Sequence, residues 1–269
     1  MGLALDGGLC SRNVPEACVG VELGRSLAPR ATVMLYDEFA RLGVGPDDLV
    51  LDAGGRDAVH AIELVRRLDC RAITIDPVPL HVARARERVA AAGLENRIDV
   101  VNATTESLPL ADASIGFVWC RDVLNHVQLD PSLREFARVL RPGGSVLVYQ
   151  TFAETACEPE EARRLFAASA SVAENMSAPF FEATAGEAGF EVVSVEPLRG
   201  EWRERMIEDG TWDVAADLLA LSRLHRGEGD AVERYGRARV EAARGGLLWG
   251  VYQLLGKLCP TIYVLRSRA

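Results

Sequence analysis

Apolar and polar positions along this chain follow two alternating periods. Leu49-Val50-Leu51 is a short unbroken apolar run, closed by Asp52, Ala53, Gly54 and Gly55. Such a run predicts a buried parallel strand passing into a tight turn and the N-terminus of a helix. The helix face follows, with Ala61, Leu64, Val65 and Leu68 at i, i+3, i+4 and i+7. A second strand, Ala72-Ile73-Thr74-Ile75, ends in Asp76. Leu80 to Ala92 predicts a helix with Val78, Val82, Ala85 and Val89 as its apolar stripe and Arg84, Arg86, Glu87 and Arg88 on its wet side. Strands are then predicted over 98–101, 115–120, 145–149, 190–195 and 261–265. Between them, Leu133, Phe136, Val139 and Leu140 mark one helical stripe, 154–178 reads as mostly helical, and Phe180 to Ala188 offers another helix. Upstream, Val33, Tyr36 and Phe39 predict a helix over 31–42, ended by Gly43-Val44-Gly45-Pro46. Residues 1–29 show no period and read as a loose arm or part of a cap. Strands alternating with helices predict an α/β fold, a parallel sheet with helices on both faces.

One interval interrupts this rhythm. Residues 200–258, 59 in all, hold no strand pattern but three of the four tryptophans, Trp202, Trp212 and Trp249. Val214, Leu218 and Leu221 give it one helical face, and Leu247, Leu248, Val251, Leu254 and Leu255 another. So much apolar surface exceeds what a solvent-crossing connection needs. It predicts a helical insert that partly packs on the core and otherwise walls an apolar pocket or a seam between two copies. The expected organisation is a single domain: 1–48 an N-terminal arm and helix, 49–198 a ligand-binding core, 199–259 the insert and 260–269 the final strand.

Composition narrows the partners more than the fold. The chain has 269 residues, 49% hydrophobic and 26% charged, with a net charge of −9. That is ordinary globular composition, and its acidity disfavours nucleic acid or an anionic membrane as a partner. None of the six cysteines (Cys10, Cys18, Cys70, Cys120, Cys157, Cys259) forms C-x-x-C or a zinc spacing with histidine, so small core thiols in a reducing cytoplasm are expected. No basic-then-apolar leader and no run of 18 apolar residues is seen, and the expected location is cytoplasmic.

The chemistry begins at the spacing from Gly54 to Asp76, which is 22 residues. In a strand–helix–strand unit, an acid at that distance stands at the tip of the second strand and can accept hydrogen bonds from both ribose hydroxyls. A dinucleotide site would carry G-x-G-x-x-G, but Arg56 and Val59 occupy the second and third glycine positions. That disfavours a nucleotide-dependent oxidoreductase. S-Adenosylmethionine, which has no phosphate, suits the turn: Asp52 for its ammonium and backbone N–H groups for its carboxylate.

Asp52 to Asp57 resembles motif I of the class I S-adenosylmethionine-dependent methyltransferases, whose pattern is acid-x-Gly-x-Gly-x-Gly; Arg56 and Ala58 replace the last two glycines. Arg138-Val139-Leu140-Arg141-Pro142-Gly143-Gly144 closely resembles the helix-to-strand turn of the same family. The resemblance covers roughly 31–198 plus 261–265. It implies a Rossmann-like seven-stranded sheet whose final strand runs antiparallel between strands five and six, with the 200–258 insert as a helical cap. It also implies S-adenosylmethionine held by Asp52, Gly54, Gly55 and Arg56, by Asp76 with Pro77 at the ribose, by Thr105 and Glu106 near adenine, and by Cys120 and Arg121 at the end of strand four. Tyr36 is a further contact in this reading, with core packing as its alternative.

Methyl transfer is an in-line displacement from a sulfonium, and an oxygen or carbon acceptor often needs a base. His126 is the first candidate and Asp122 the second, both on the loop after strand four. A helix-start histidine bonded to the backbone is the bland alternative for His126. No metal is expected. The implied function is methylation of a small, largely apolar metabolite; a protein of this fold that binds the cofactor or a ligand without transferring methyl is the alternative.

Overall fold

The computed structural model describes residues 32–268, so the expectation for 1–29 falls outside the described residues. Helix α1 (Val33–Ala40) leads into β1 (Leu49–Ala53), α2 (Val59–Leu68), β2 (Arg71–Asp76), α3 (Pro79–Ala91) and β3 (Ile98–Asn102). β4 (Ile115–Arg121), α4 (Leu129–Val139), β5 (Leu140–Ala153), α5 (Pro159–Ser169), a 3-10 turn (Glu174–Met176), α6 (Ala178–Glu187) and β6 (Phe190–Pro197) follow. Four helices, α7 (Glu201–Glu208), α8 (Val214–Arg226), α9 (Glu228–Tyr235) and α10 (Arg237–Leu254), precede β7 (Leu258–Ser267). The seven strands form one sheet in the order β3-β2-β1-β4-β5-β7-β6. β7 lies antiparallel between β5 and β6, with Tyr263 opposite both Val148 and Val195, as the resemblance implied.

Side-chain alternation divides the core between the two sheet faces. Along β4, Val118 and Cys120 join Phe136, Phe181 and Tyr263 on one face. Trp119 points the other way, into Phe39, Val50, Leu64, Leu147 and Ile262. Each cluster is covered by helices, which explains why the central strands read as continuous apolar runs.

Three local expectations shift. Val78 belongs to the turn before α3 rather than to its stripe: it is extended and 41% exposed, and Pro79 opens the helix. Leu140 leaves α4 and begins β5. β5 runs to Ala153 because β7 pairs along its whole second half, as far as Ala153 opposite Leu258.

The insert is helical, but its two apolar faces are used unequally. Trp202 of α7 is buried against Tyr149, ring centroids 5.2 Å apart. Val251 and Gln253 of α10 are buried, and Gln253 Nε2 donates to Thr151 Oγ1 at 3.1 Å. The expected face on α8 is not core, with Leu218 50% exposed and no residue of α8 buried, and the face at the end of α10 is split between buried Val251 and Leu255, 61% exposed. Periodicity correctly marks the helix but cannot supply a surface for it to pack on. Among the described residues no helix is long and apolar enough to cross a membrane.

Candidate active site

The turn after β1 is built by close approach. The Asp52 carboxylate is buried and accepts the Thr74 hydroxyl at 2.9 Å. Gly55 passes directly over this pair: a Cβ there would lie 1.9 Å from Thr74 Oγ1 and 2.2 Å from Asp52 Oδ2. Gly54 has φ +71°, and its Cβ would meet Val123 Cγ2 at 2.4 Å. Arg56 and Ala58, standing where the family pattern has glycine, also adopt positive φ, 53° and 60°. The loop path is therefore kept without the glycines, at roughly 1–2 kcal/mol of backbone strain per residue.

Burial pushes the Asp52 carboxyl up from 3.8 to about 7, with the charge of Asp76 adding to the rise; the Thr74 hydroxyl and the Ala61 backbone N–H oppose it. The native state thus holds this proton more tightly than the unfolded chain does. Its stabilising contribution is complete below about pH 4 and is lost as the pH rises through about 7. Urea unfolding of the wild type should show that decline, worth at most about 4 kcal/mol across the interval. In Asp52→Asn the decline should be absent; an unchanged slope would assign it to other groups.

A cavity of about 540 Å³ opens at the carboxyl ends of β1, β2 and β4. Of the residues expected from sequence, Gly54, Arg56, Asp76, Pro77, Thr105, Glu106, Asp122 and His126 line it. Asp76 Oδ1 accepts the Val78 N–H at 2.9 Å and His81 Nδ1–H at 3.0 Å, while Oδ2 has no partner among the described residues. His81 was not singled out by sequence; its place on the first turn of α3, five residues after Asp76, is the signal that would have found it. Val78, Ala103, Thr104, Val123 and Val127 complete much of the wall. The Thr105 hydroxyl is engaged by Ser132 Oγ at 2.8 Å, and Glu106 Oε1 accepts the Gln128 N–H at 3.2 Å. Both tie the loop to the start of α4.

The other expected contacts do not line the cavity. Asp52 and Gly55 sit behind its wall, supporting the turn. Cys120 faces the core, as the alternation along β4 requires. Tyr36 stacks on Trp119 at 5.0 Å and its oxygen lies 2.7 Å from His60 Nδ1. Arg121 Nη1 donates to His60 Nε2 at 2.9 Å, and its guanidinium lies over the rings of Tyr149 and Trp202. Arginine only donates, so His60 Nε2 is an acceptor and the ring proton sits on Nδ1, directed to Tyr36. Burial and the Arg121 charge hold His60 down at about 4, which keeps it neutral.

Asp122 and His126 also border a second cavity, about 280 Å³, whose far side is Ser169 and Ala242, Gly245, Gly246 and Trp249 of α10. Trp202, Trp212, Leu248 and Leu255, the other large apolar groups of the insert, are not on its wall. Asp122 has φ +55° and donates its N–H to Tyr149 O at 2.9 Å. Its side chain is 44% exposed, into the two clefts that it borders. Desolvation raises its carboxyl above the usual range, against the charges of Arg121, His126 and Arg203. Arg121 Nε stands 3.9 Å from Asp122 Oδ2. His126 Nδ1 lies 3.3 Å from Ala170 O. That contact fits a proton on Nδ1 and leaves Nε2 as an acceptor.

Residues 51–148 match the family model described as a methyltransferase domain. The chain thus carries a methyltransferase domain, and its likeness is to the class I S-adenosylmethionine-dependent methyltransferases. It is 34% identical over 120 residues to the methyltransferase GfsG of Streptomyces halstedii, covering 44% of this chain and 42% of that one. It is 30% identical over 175 residues to the 27-O-demethylrifamycin SV methyltransferase of Amycolatopsis mediterranei, covering 62% and 63%. The matches thus span less than two thirds of these relatives' lengths. Geranyl diphosphate C-methyltransferase from Streptomyces coelicolor superposes with a TM-score of 0.67 at 13% identity, over 88% of this chain and 79% of that chain, a likeness of fold.

The cavity suits the family's cofactor. It falls within the usual ligand range of about 300–1,000 Å³, and Asp76 Oδ2 is a free acceptor at the tip of β2. Asp76→Ala in the folded protein should weaken S-adenosylhomocysteine by about 10–150-fold, on the order of 1.5–3 kcal/mol for charge-assisted hydrogen bonds. Unchanged affinity in calorimetry would remove Asp76 from the cofactor site.

Proposed function

We propose that this protein transfers a methyl group from S-adenosylmethionine to a small, largely apolar acceptor. The observation that carries the reading is the meeting of two cavities at Asp122 and His126. One has the family's cofactor position, and the other lies beneath α10. When bound, the cofactor supplies an electrophilic methyl on a sulfonium. Gly54 and Arg56 would border its amino-acid end, Asp76 would take the ribose hydroxyls, and the Thr105–Glu106 loop would border the adenine.

The chain's own contribution is alignment, exclusion of water and proton removal. His126 accepts the acceptor's proton at Nε2, with Nδ1–H held by Ala170 O. Asp122 stabilises the imidazolium that results. The insert serves as a cap through α10, whereas α7 is anchored in the core through Trp202. Deleting 200–258 would therefore strip the sheet as well as open the site.

The test is transfer of tritium from S-adenosyl-[methyl-³H]methionine to a panel of phenols, amines and carboxylic acids, beside calorimetry with S-adenosylhomocysteine. Binding with labelled product supports the reading. Binding with no labelled product from any panel member favours a ligand-binding protein of the same fold, and absence of binding rejects the cofactor.

A further inference from the structure

Helix α10 carries two adjacent glycines, and only one has a packing reason. A Cβ on Gly245 would lie 2.7 Å from Ala168 Cβ, so glycine there lets α10 and α5 approach. A Cβ on Gly246 would meet nothing within 4 Å. Glycine inside a helix costs about 0.5–1 kcal/mol relative to alanine, and no turn or strained φ requires it at this position. What Gly246 does face is the second cavity. Ala242, Gly245, Gly246 and Trp249 follow at i, i+3, i+4 and i+7, one face of α10, and all four line it. The floor is thus made of small residues and ends in an indole. Trp249 is in turn packed against Leu165, Phe166, Met176 and Leu258.

The polar side of the cavity is equally selective. Ser169 Oγ already donates to Leu165 O and shares a hydrogen bond with Ser171 Oγ. Asp122 and His126 are what remains for a substrate. Arg121 and Arg203 both act on Asp122 from outside the cavity wall, so the pull of its carboxylate on a cation is partly offset. A protonated amine entering here gains only an offset attraction to Asp122, while a neutral aromatic hydroxyl can donate to His126 Nε2.

We propose that the slot between α10 and the β4 loop takes the acceptor as a flat, ring-bearing phenol, its hydroxyl toward His126 and Asp122 and its ring along the Gly246 floor toward Trp249, and that Gly246 sets the ring size admitted. The acceptor role rests on the methyl-transfer reading; the shape and charge preference do not.

Calorimetry on protein saturated with S-adenosylhomocysteine tests this with 1-naphthol, phenol and benzylamine as probes. Wild type should bind 1-naphthol at least about tenfold more tightly than benzylamine, which is flat but cationic. Gly246→Leu should weaken 1-naphthol by about tenfold or more and phenol by less. Its S-adenosylhomocysteine affinity should stay within about twofold of wild type. Gly246→Ala should melt no lower than wild type and fall between the two in 1-naphthol affinity. The proposal is overturned if wild type ignores 1-naphthol at millimolar concentration, if Gly246→Leu binds it equally, or if benzylamine is preferred. Should 1-naphthol bind and be lost in Gly246→Leu while no phenol is ever labelled, the slot stands and the methyl-transfer reading fails.

Discussion

His126→Ala is expected to lower turnover by roughly 10²–10⁴-fold with S-adenosylhomocysteine affinity nearly unchanged, because the base is needed only as the proton leaves. The expectation depends on the two ring nitrogens having different tasks. Nδ1 is 3.3 Å from Ala170 O, which fixes the ring and directs its proton away from the cavities. Nε2 is left as the acceptor at the place where both cavities meet. Asp122→Asn separates the base from its electrostatic support. Asparagine tolerates the positive φ at this position, so the loop should survive the change. It removes the charge that stabilises the imidazolium, worth about 1.5–3 kcal/mol or roughly 10–150-fold in rate. Asp122→Ala would mix that loss with backbone strain and is the poorer test. If His126→Ala costs less than about tenfold with acceptor saturating while Asp122→Asn costs more, the carboxylate is the base and His126 is held for structure.

The sequence carries the sheet because its evidence is local: apolar runs, acids at strand ends and glycines after them. Asp76 is legible for the same reason, as it needs only its distance from Gly54. Residues around β4 are less legible. Position at the end of strand four says that Cys120, Arg121 and Asp122 are near the carboxyl edge, but the pleat decides which of them meets the ligand. It turns Cys120 into the core and Arg121 toward His60 on α2, and leaves Asp122 on both cavities. Tyr36 goes to the same buried chain, where the competing reading of core packing prevails. The insert is legible as helices and not as contacts, since its tryptophans diverge. Trp202 joins the core, Trp212 donates to Asp217, and Trp249 alone reaches the second cavity. Arg56 and Ala58 show the opposite error. They break the glycine pattern in sequence, yet the backbone follows the left-handed path that the pattern exists to allow.

Gly55→Ala should be among the most damaging single substitutions in the cofactor turn, although it adds one methyl group. The methyl would be placed 1.9 Å from Thr74 Oγ1, 2.2 Å from Asp52 Oδ2 and 2.9 Å from Asp52 Cγ. Neither neighbour is a flexible end that can swing into solvent. Both are buried, and each is held by the 2.9 Å hydrogen bond to the other. Relief requires either displacing the turn, whose Gly55 N–H bonds Ile75 O at 2.9 Å, or parting Asp52 from Thr74. Overpacking costs about 1–3 kcal/mol, and leaving a buried polar group unsatisfied costs about 1–3 kcal/mol more. Against a net stability of roughly 5–15 kcal/mol, the melting temperature should fall sharply, and S-adenosylhomocysteine binding should be lost even where the fold survives. A double-mutant cycle keeps the explanation testable if the single variant aggregates. Thr74→Ala removes the nearest atom, so Gly55→Ala in that background should recover part of the stability, with a coupling of at least about 1 kcal/mol. Strict additivity of the two changes would mean that the turn accommodates the methyl elsewhere, and that Gly55 is required for the cofactor's approach and not for the Asp52–Thr74 pair beneath it.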